Sequence, residues 1–369
     1  MRIGIVCPYN IFKAGGVQQH VMHQTKILRS RGHDVTIITP RPYRVTENPP
    51  EGTMFLGSSA RVKAPHATSA DVSVTSDADV MDLLALKNFD IIHIHEPLVP
   101  FLARQILQKA TCPIVGTFHA ALPGNALGKS LTSSYKAYAR SVLPNINAIT
   151  AVSPAAIGYI EEANSLPINY IPNGVELKVY KHEKKVQRDK DTILFVGRLE
   201  KRKGAKYAIK AFELVKAQRP DAQLLIVGDG PLRRSLENYV NLHDIQDVYF
   251  LGFVSDEEKK LLFQRATVYT SPALYGESFG IVLVEAMALG APIVAHSSEG
   301  YSWVLKDTGR LSLVDVENIP DYARRLLLMM EDKALREIWQ KWAAAYVQQF
   351  SYERIVDSYE KIYKGLVKK

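Results

Sequence analysis

Cysteine is nearly absent: Cys7 and Cys112 are the two in the chain, and neither sits in a CxxC or other metal-ligand spacing. That excludes a disulfide framework and a thiolate metal site, and it fits a reducing cytosol. Long apolar runs are missing too. The best stretch, 279–295, falls short of the roughly 20 residues of a membrane span and carries Glu285. The opening MRIGIVCPYN has one basic residue and turns polar after a short apolar stretch, the wrong anatomy for a signal peptide, so the expected location is cytoplasmic. The dinucleotide fingerprint GxGxxG is absent from the first loop. In Gly228-Asp229-Gly230-Pro231-Leu232-Arg233 an arginine stands where the third glycine belongs, so an NAD enzyme is not expected. No aromatic-interleaved basic motif is present, which argues against a nucleic-acid partner.

What is present is ordinary globular usage, 47% hydrophobic and 23% charged over 369 residues, which predicts a folded protein of two domains. The net charge of +8 biases the surface toward anionic partners such as phosphates or acidic membranes.

Residues 1–7 read as a buried strand, 8–16 as a loop, 17–31 as a helix with Val21, Met22, Thr25 and Leu28 at a 3.6 period, and 34–39 as a second strand. This β-α-β unit opens a Rossmann-like domain. Strands are expected again at 89–95 and 113–118, whereas 52–80 is polar and irregular. The segment 178–191 is charged and turn-rich and reads as a solvated loop. After it the alternation resumes with strands at 192–196, 222–227, 248–251, 267–271 and 292–295. The fold class is therefore α/β with two Rossmann-like parallel-sheet domains, placed at 1–171 and 172–350.

Several residues can carry chemistry. Gly15 and Gly16 stand between a strand and a helix, where a ligand can approach the backbone and helix N–H groups can meet a phosphate; a tight turn without a ligand would need the same pair. The turn Gly197-Arg198-Leu199-Glu200-Lys201-Arg202-Lys203-Gly204 leaves a strand with several cations. Arg198 offers a planar fork and Lys203 a point charge for a diphosphate leaving group. In Gly276-Glu277-Ser278-Phe279-Gly280-Ile281-Val282-Leu283-Val284-Glu285, a helix starting near Ser278, with that serine as cap, would aim the N–H groups of Phe279, Gly280 and Ile281 at an anion. Glu277 would then meet a polyhydroxyl head and Glu285 a ribose. His119 projects from the C-terminal end of a strand, where open α/β sheets bind ligands, although a structural histidine is common there. His93 and His95 alternate beside Glu96 and imitate a metal site, but no third ligand is identifiable.

Taken together, the runs MRIGIVCPY, GGVQ, HIHEP, TFH, KSLT, IPNGV and GESFGIVLVEAMA resemble the retaining glycosyltransferases of family 4, which have the GT-B fold of two Rossmann-like domains facing a central cleft. Within that family they are most similar to enzymes that mannosylate phosphatidylinositol. The resemblance covers nearly the whole chain. It implies a nucleotide-sugar donor on the C-terminal domain, GDP-mannose by analogy, and an acceptor on the N-terminal domain, with a C-terminal helix, 351–369, crossing back to the first domain. It makes Gly16 a backbone donor to the distal phosphate, Arg198 and Lys203 its clamp, Glu285 the ribose ligand and Glu277 the holder of sugar hydroxyls. His119 comes near the reacting sugar. The resemblance implies reaction by front-face attack, in which the departing phosphate takes the acceptor's proton. No tightly bound cofactor and no required metal are implied, with Mg²⁺ at most assisting.

For the acceptor the resemblance points to Tyr9, Gln18 and Arg61 on an inositol phosphate. Here the chain departs from the pattern. Residues 10–14 lack the family's acidic residue, and the basic membrane-seeking stretch after Arg61 is replaced by Asp71, Asp77 and Asp79. Docking on the inner face of the cell membrane would instead use Lys129, Lys136 and Arg140 around the amphipathic segment 130–142. Four readings compete: hexose transfer to a lipid-linked or polyol-phosphate acceptor, transfer from a UDP-sugar to a soluble sugar or polysaccharide, a nucleotide-sugar-binding protein without turnover, and a nucleotide-sugar epimerase of the same architecture.

Overall fold

The computed structural model describes residues 1–13, 15–42, 48–62, 70–121, 136–158, 160–180, 186–189 and 191–368. The chain divides into two compact units, Met1–Gly174 with Tyr352–Lys369, and Val175–Ser351.

In the first unit the described residues form a sheet of eight strands. From one edge to the other it runs Ala70–Val74, Thr53–Val62, Asp34–Arg41, Arg2–Val6, Ile91–His95, Ile114–Phe118, Ala148–Ala151 and Ile168–Tyr170. All pairings are parallel except that of Ala70–Val74 with Thr53–Val62. The central strands Ile91–His95 and Ile114–Phe118 are buried on every residue, as in a parallel sheet covered on both faces, although they carry His93, His95 and Thr117. Within 52–80, read as irregular, the described residues form this antiparallel edge pair and the start of a helix, Asp77–Lys87. Ser76 caps that helix by accepting from the Asp79 N–H.

The helix Gly16–Ser30 buries His20, Val21, Gln24, Thr25 and Leu28, so its inner stripe is more polar than the apolar period suggested. Against this unit the C-terminal helix Tyr352–Val367 buries Tyr352, Ile355, Val356, Tyr359 and Tyr363. Its outer face is fastened by charge. Glu360 takes the Lys364 ammonium and the Arg31 guanidinium at 2.7 Å each and lies 3.2 Å from His33 Nε2. Lys364, followed by Arg31 and His33, holds the Glu360 carboxyl down at about 2. Glu360→Ala is expected to cost the first unit about 1–2 kcal/mol in urea unfolding at pH 7. Because the folded carboxyl titrates below its unfolded value, the wild-type advantage is present above about pH 4.5 and disappears as pH falls toward 2.

The second unit holds a six-stranded sheet among its described residues, in the order Val248–Gly252, Gln223–Val227, Thr192–Val196, Val268–Ser271, Ile293–His296 and Leu313–Val314, all parallel. The charged segment before it is not simply solvated. Arg188 donates to the Ala266 carbonyl at 2.7 Å and to the Gly290 carbonyl at 2.5 Å, and Asp189 pairs with Arg265 at 2.9 Å. Residues 181–185 and 190 of that segment lie outside the described residues.

Candidate functional site

Three turns at the C-terminal edge of the second sheet are built as one piece. The turn after Thr192–Val196 lies on the turn after Gln223–Val227: Leu199 N donates to the Asp229 carbonyl at 2.9 Å and Leu232 N to the Leu199 carbonyl at 3.0 Å. A Cβ on Gly228 would stand 2.1 Å from the Gly197 oxygen and one on Gly230 2.6 Å from that of Leu199, so these glycines serve backbone packing. Leu274 N, in the turn after Val268–Ser271, donates to the Arg202 carbonyl at 2.8 Å.

Across this surface the charges alternate. Arg198 Nε lies 2.8 Å from Glu200 Oε1, and Arg202 Nε donates to Glu200 Oε2 at 3.1 Å. Arg202 Nη1 at 2.8 Å and Lys203 Nζ at 2.5 Å then share a single oxygen, Oε1 of Glu277. Three cations face two carboxylates, which leaves one positive charge in excess. The expected pair is thus divided: Lys203 reaches Glu277, while Arg198, its side chain half exposed, turns to Glu200. Arg202, which sequence reasoning did not single out, supplies the second contact on Glu277. The 3₁₀ turn Lys201–Lys203 is the local reason, because it ends at a left-handed Gly204 and delivers both side chains to that carboxylate.

The helix expected to start near Ser278 begins later. It spans Ile281–Ala288, and its N-cap is Gly280 at φ 91 with no side-chain cap bond, so Ser278 is not the cap. Gly280 takes that conformation against the Tyr301 ring, which a Cβ would meet at 2.5 Å. Phe279 is buried with its ring 5.8 Å from that of Phe350, so it belongs to the core before the helix. Glu285 is buried on this helix. Tyr180 donates its hydroxyl to Oε1 at 2.8 Å, and Lys259 Nζ lies 3.5 Å from Oε2. No local pattern marks Tyr180 or Lys259 as partners of a carboxylate 105 residues from the tyrosine.

In the first unit, Tyr9, Gly15, Gly16 and Gln18 gather around one turn. Thr39 Oγ1 donates to the Tyr9 carbonyl at 2.8 Å, and Gln18 Nε2 donates to the Asn10 carbonyl at 3.3 Å. Gly15 is the extended N-cap of the helix that starts at Gly16, and a Cβ there would sit 2.3 Å from Gln18 Oε1. Arg61 stands toward the C-terminal end of Thr53–Val62, in register with Asp71, and Asp34–Arg41 separates its strand from Arg2–Val6. Lys129 and residues 130–135 lie outside the described residues; Lys136 pairs with Glu162 at 2.7 Å.

His119 ends the strand Ile114–Phe118 and is buried. Its backbone N–H and that of Ala120 both donate at 2.7 Å to Oε1 of Glu96, a buried carboxylate at φ 53. Burial raises the Glu96 carboxyl to about 7 against the opposing effect of those two N–H groups. The His119 imidazole lies 2.9 Å from that of His95, with His20 packed edge-on at 5.2 Å between ring centres. His93 and His95 do share a face, 4.2 Å apart. Among the described residues, however, no three His, Cys, Asp or Glu side chains converge as metal ligands. Burial pushes His119 down to about 4 and His93 to about 3, so both imidazoles are neutral at pH 7. Among the described residues no helix is long and apolar enough to cross a membrane.

Two family descriptions cover the chain in turn, Glycosyltransferase Family 4 over residues 14–179 and Glycosyl transferases group 1 over residues 178–345. The phosphatidyl-myo-inositol mannosyltransferase of Mycolicibacterium smegmatis is 34% identical over 99% of this chain and 94% of its own length. That of Mycobacterium tuberculosis is also 34% identical, over 99% of this chain and 97% of its own length. Among solved structures, sucrose-phosphate synthase from Thermosynechococcus elongatus superposes with a TM-score of 0.78 at 22% identity, covering 99% of this chain and 98% of that one. With two Rossmann-like units carrying their loops on the C-terminal edges of parallel sheets, and with relatives this similar along its whole length, the chain belongs to the family 4 glycosyltransferases of GT-B fold.

Proposed function

We propose that the protein transfers mannose from GDP-mannose, with retention, to a lipid-linked or polyol-phosphate acceptor of the phosphatidylinositol type at the cytoplasmic membrane surface. The observation that carries the donor half of this reading is the excess positive charge of Arg198, Arg202 and Lys203 over Glu200 and Glu277, set before the helix Ile281–Ala288. A diphosphate placed there meets a guanidinium, an ammonium and the positive end of a helix. As the bond from the anomeric carbon to the phosphate oxygen breaks, its electron pair passes to that oxygen, and these groups stabilise the growing charge. The acceptor hydroxyl attacks the anomeric carbon from the same face and gives its proton to the departing phosphate. Glu277 and His119 orient sugar hydroxyls, Glu285 holds the ribose, and Gly16 donates its backbone N–H to the distal phosphate. Tyr9, Gln18 and Arg61 take the acceptor. The donor mannose and the inositol-lipid acceptor rest on the similarity to the mycobacterial phosphatidyl-myo-inositol mannosyltransferases and on the family resemblance. Mg²⁺ is assigned no step.

The test is a panel of GDP- and UDP-sugars in a thermal-shift assay, followed by transfer to phosphatidylinositol in anionic vesicles. GDP-mannose at one hundred times its Kd is expected to stabilise by about 2.7 kcal/mol. Mannosylated lipid should then form. Stabilisation by UDP-sugars with transfer to a soluble saccharide would replace this reading. Donor binding without nucleotide release would remove catalysis from it.

A further inference from the structure

Behind His119 the first unit buries an unusually polar set of side chains, and their hydrogen bonds run in one direction. A backbone carbonyl can only accept, so the chain of bonds is anchored where Thr150 Oγ1 donates to the Gly116 oxygen at 3.3 Å. With its proton committed, the Thr150 hydroxyl accepts from that of Thr117. Thr117, its proton spent in turn, accepts from Nε2 of His93 at 2.5 Å. His93 is neutral and has one ring proton, so its Nδ1 accepts, and the donor is the Tyr363 hydroxyl at 2.6 Å. The Tyr363 oxygen is then free to accept the Gln24 amide N–H at 2.7 Å.

This step also settles the amide. Reversed, Gln24 would set its carbonyl oxygen against the lone pairs of both Tyr363 and His93 Nδ1. Gln24 Oε1 therefore accepts from Nε2 of His95 at 3.1 Å, and His95, also kept neutral by burial, presents a bare Nδ1 to Nε2 of His119 at 2.9 Å.

We propose that this directed chain of seven hydrogen bonds holds His119 as the Nε2–H tautomer, leaving Nδ1 as its acceptor nitrogen, and that His95 and Gln24 are positioning residues for it. Resting on the reading that His119 faces the reacting sugar, the assignment makes Nδ1 a hydrogen-bond acceptor toward a substrate hydroxyl and not a donor, with Asn173, whose side chain bonds the same ring, turning its amide N–H and not its oxygen toward it. The backbone clamp of Glu96 on His119 and Ala120 fixes where the ring stands, and the chain of bonds fixes which nitrogen carries the proton. The C-terminal helix enters this arrangement through Tyr363, a residue 270 positions from its partner His93.

The experiment is long-range proton–nitrogen NMR of the full chain labelled with ¹⁵N-histidine, without any substrate, with the His119 signals assigned by their loss in His119→Asn. Wild type is expected to show Nε2 of His119 protonated and Nδ1 bare. Gln24→Met keeps the volume and cuts the chain, so the His119 signals should move toward an average of both tautomers. Tyr363→Phe should leave them in place, because Gln24 Nε2 already lies 3.0 Å from His93 Nδ1 and takes over as its donor. Thr117→Val cuts the chain near its anchored end and gives the same loss if Gln24→Met does not fold. A protonated Nδ1 in wild type, or a His119 pattern unmoved by either cutting variant, overturns the proposal. With an active transferase, Gln24→Met should lower kcat about tenfold or more at unchanged donor KM. Because the NMR needs no turnover, failure of the transferase reading leaves that result standing.

Discussion

Replacing Lys203 by alanine should lower kcat for sugar transfer by about 10²–10³ and weaken binding of the nucleoside diphosphate product. One oxygen of Glu277 holds both the Lys203 ammonium and the Arg202 guanidinium, while Glu200 holds Arg202 and Arg198. Two carboxylates against three cations leave one unit of positive charge to attract a diphosphate. Without Lys203 the charges joined by these contacts balance, and Arg202 is left fully committed to Glu277 and Glu200. A group that meets charge developing at the leaving oxygen acts mainly on kcat, because its interaction strengthens as the bond breaks.

Glu277→Gln is the informative companion, since it should act with the opposite sign on binding. It removes a negative charge from the same surface, so diphosphate affinity should hold or rise, while transfer falls because the cations lose the partner that orients them. Isothermal titration with the nucleoside diphosphate and initial-rate kinetics separate the two effects. Lys203→Ala activity within threefold of wild type would remove these cations from the mechanism. Equal losses of diphosphate affinity in both variants would turn Glu277 from a counter-charge into a structural support.

The parts of this arrangement that could be read in advance are those with a local cause. Glycines and cations in the turn 197–204 mark a strand-to-helix loop, and the alternation of apolar strands with amphipathic segments gives two Rossmann-like units. What could not be read depends on side chains meeting across long separations. Arg202 looks like one cation among four in its run until Glu277, 75 residues on, is placed against it. Ser278 looks like a helix cap until Gly280 is found packed on Tyr301, which delays the helix to Ile281. His93 and His95 have the spacing of metal ligands on a strand, but their nitrogens are engaged by Thr117, Tyr363, Gln24 and His119. The polar residue Gln24 on the inner stripe of the helix Gly16–Ser30 was the available clue that this core is hydrogen-bonded. A stripe read only for its apolar members passes over it.

That polar core has a second consequence, in acid. The first unit should lose on the order of 4 kcal/mol of stability between pH 6.5 and 5 and unfold while the second unit is still folded. Burial lowers His93 to about 3 and His119 to about 4, and it holds His20 and His95 well below their ordinary value. In the unfolded chain all four take protons as pH falls through about 6.5. The unfolded state then binds more protons, so stability rises with pH across this window and is lost on acidification. Glu96 works against the trend. Its folded carboxyl titrates near 7, above its unfolded value, so its contribution is full below about pH 4.5 and is lost as pH rises through 7. Four histidines against one carboxyl still leave a net uptake of about three protons on unfolding, each worth about 1.4 kcal/mol per pH unit when fully expressed. The chain carries its own reporter: its tryptophans, Trp303, Trp339 and Trp342, all lie in the second unit. Near pH 5, far-ultraviolet circular dichroism should therefore fall while tryptophan fluorescence keeps its native value. His93→Asn should make the acid transition shallower by about one proton. A first unit that keeps its pH 7 urea midpoint at pH 5 would show that the buried imidazoles are not held neutral by folding, and coincident loss of both signals would show that the two units unfold as one.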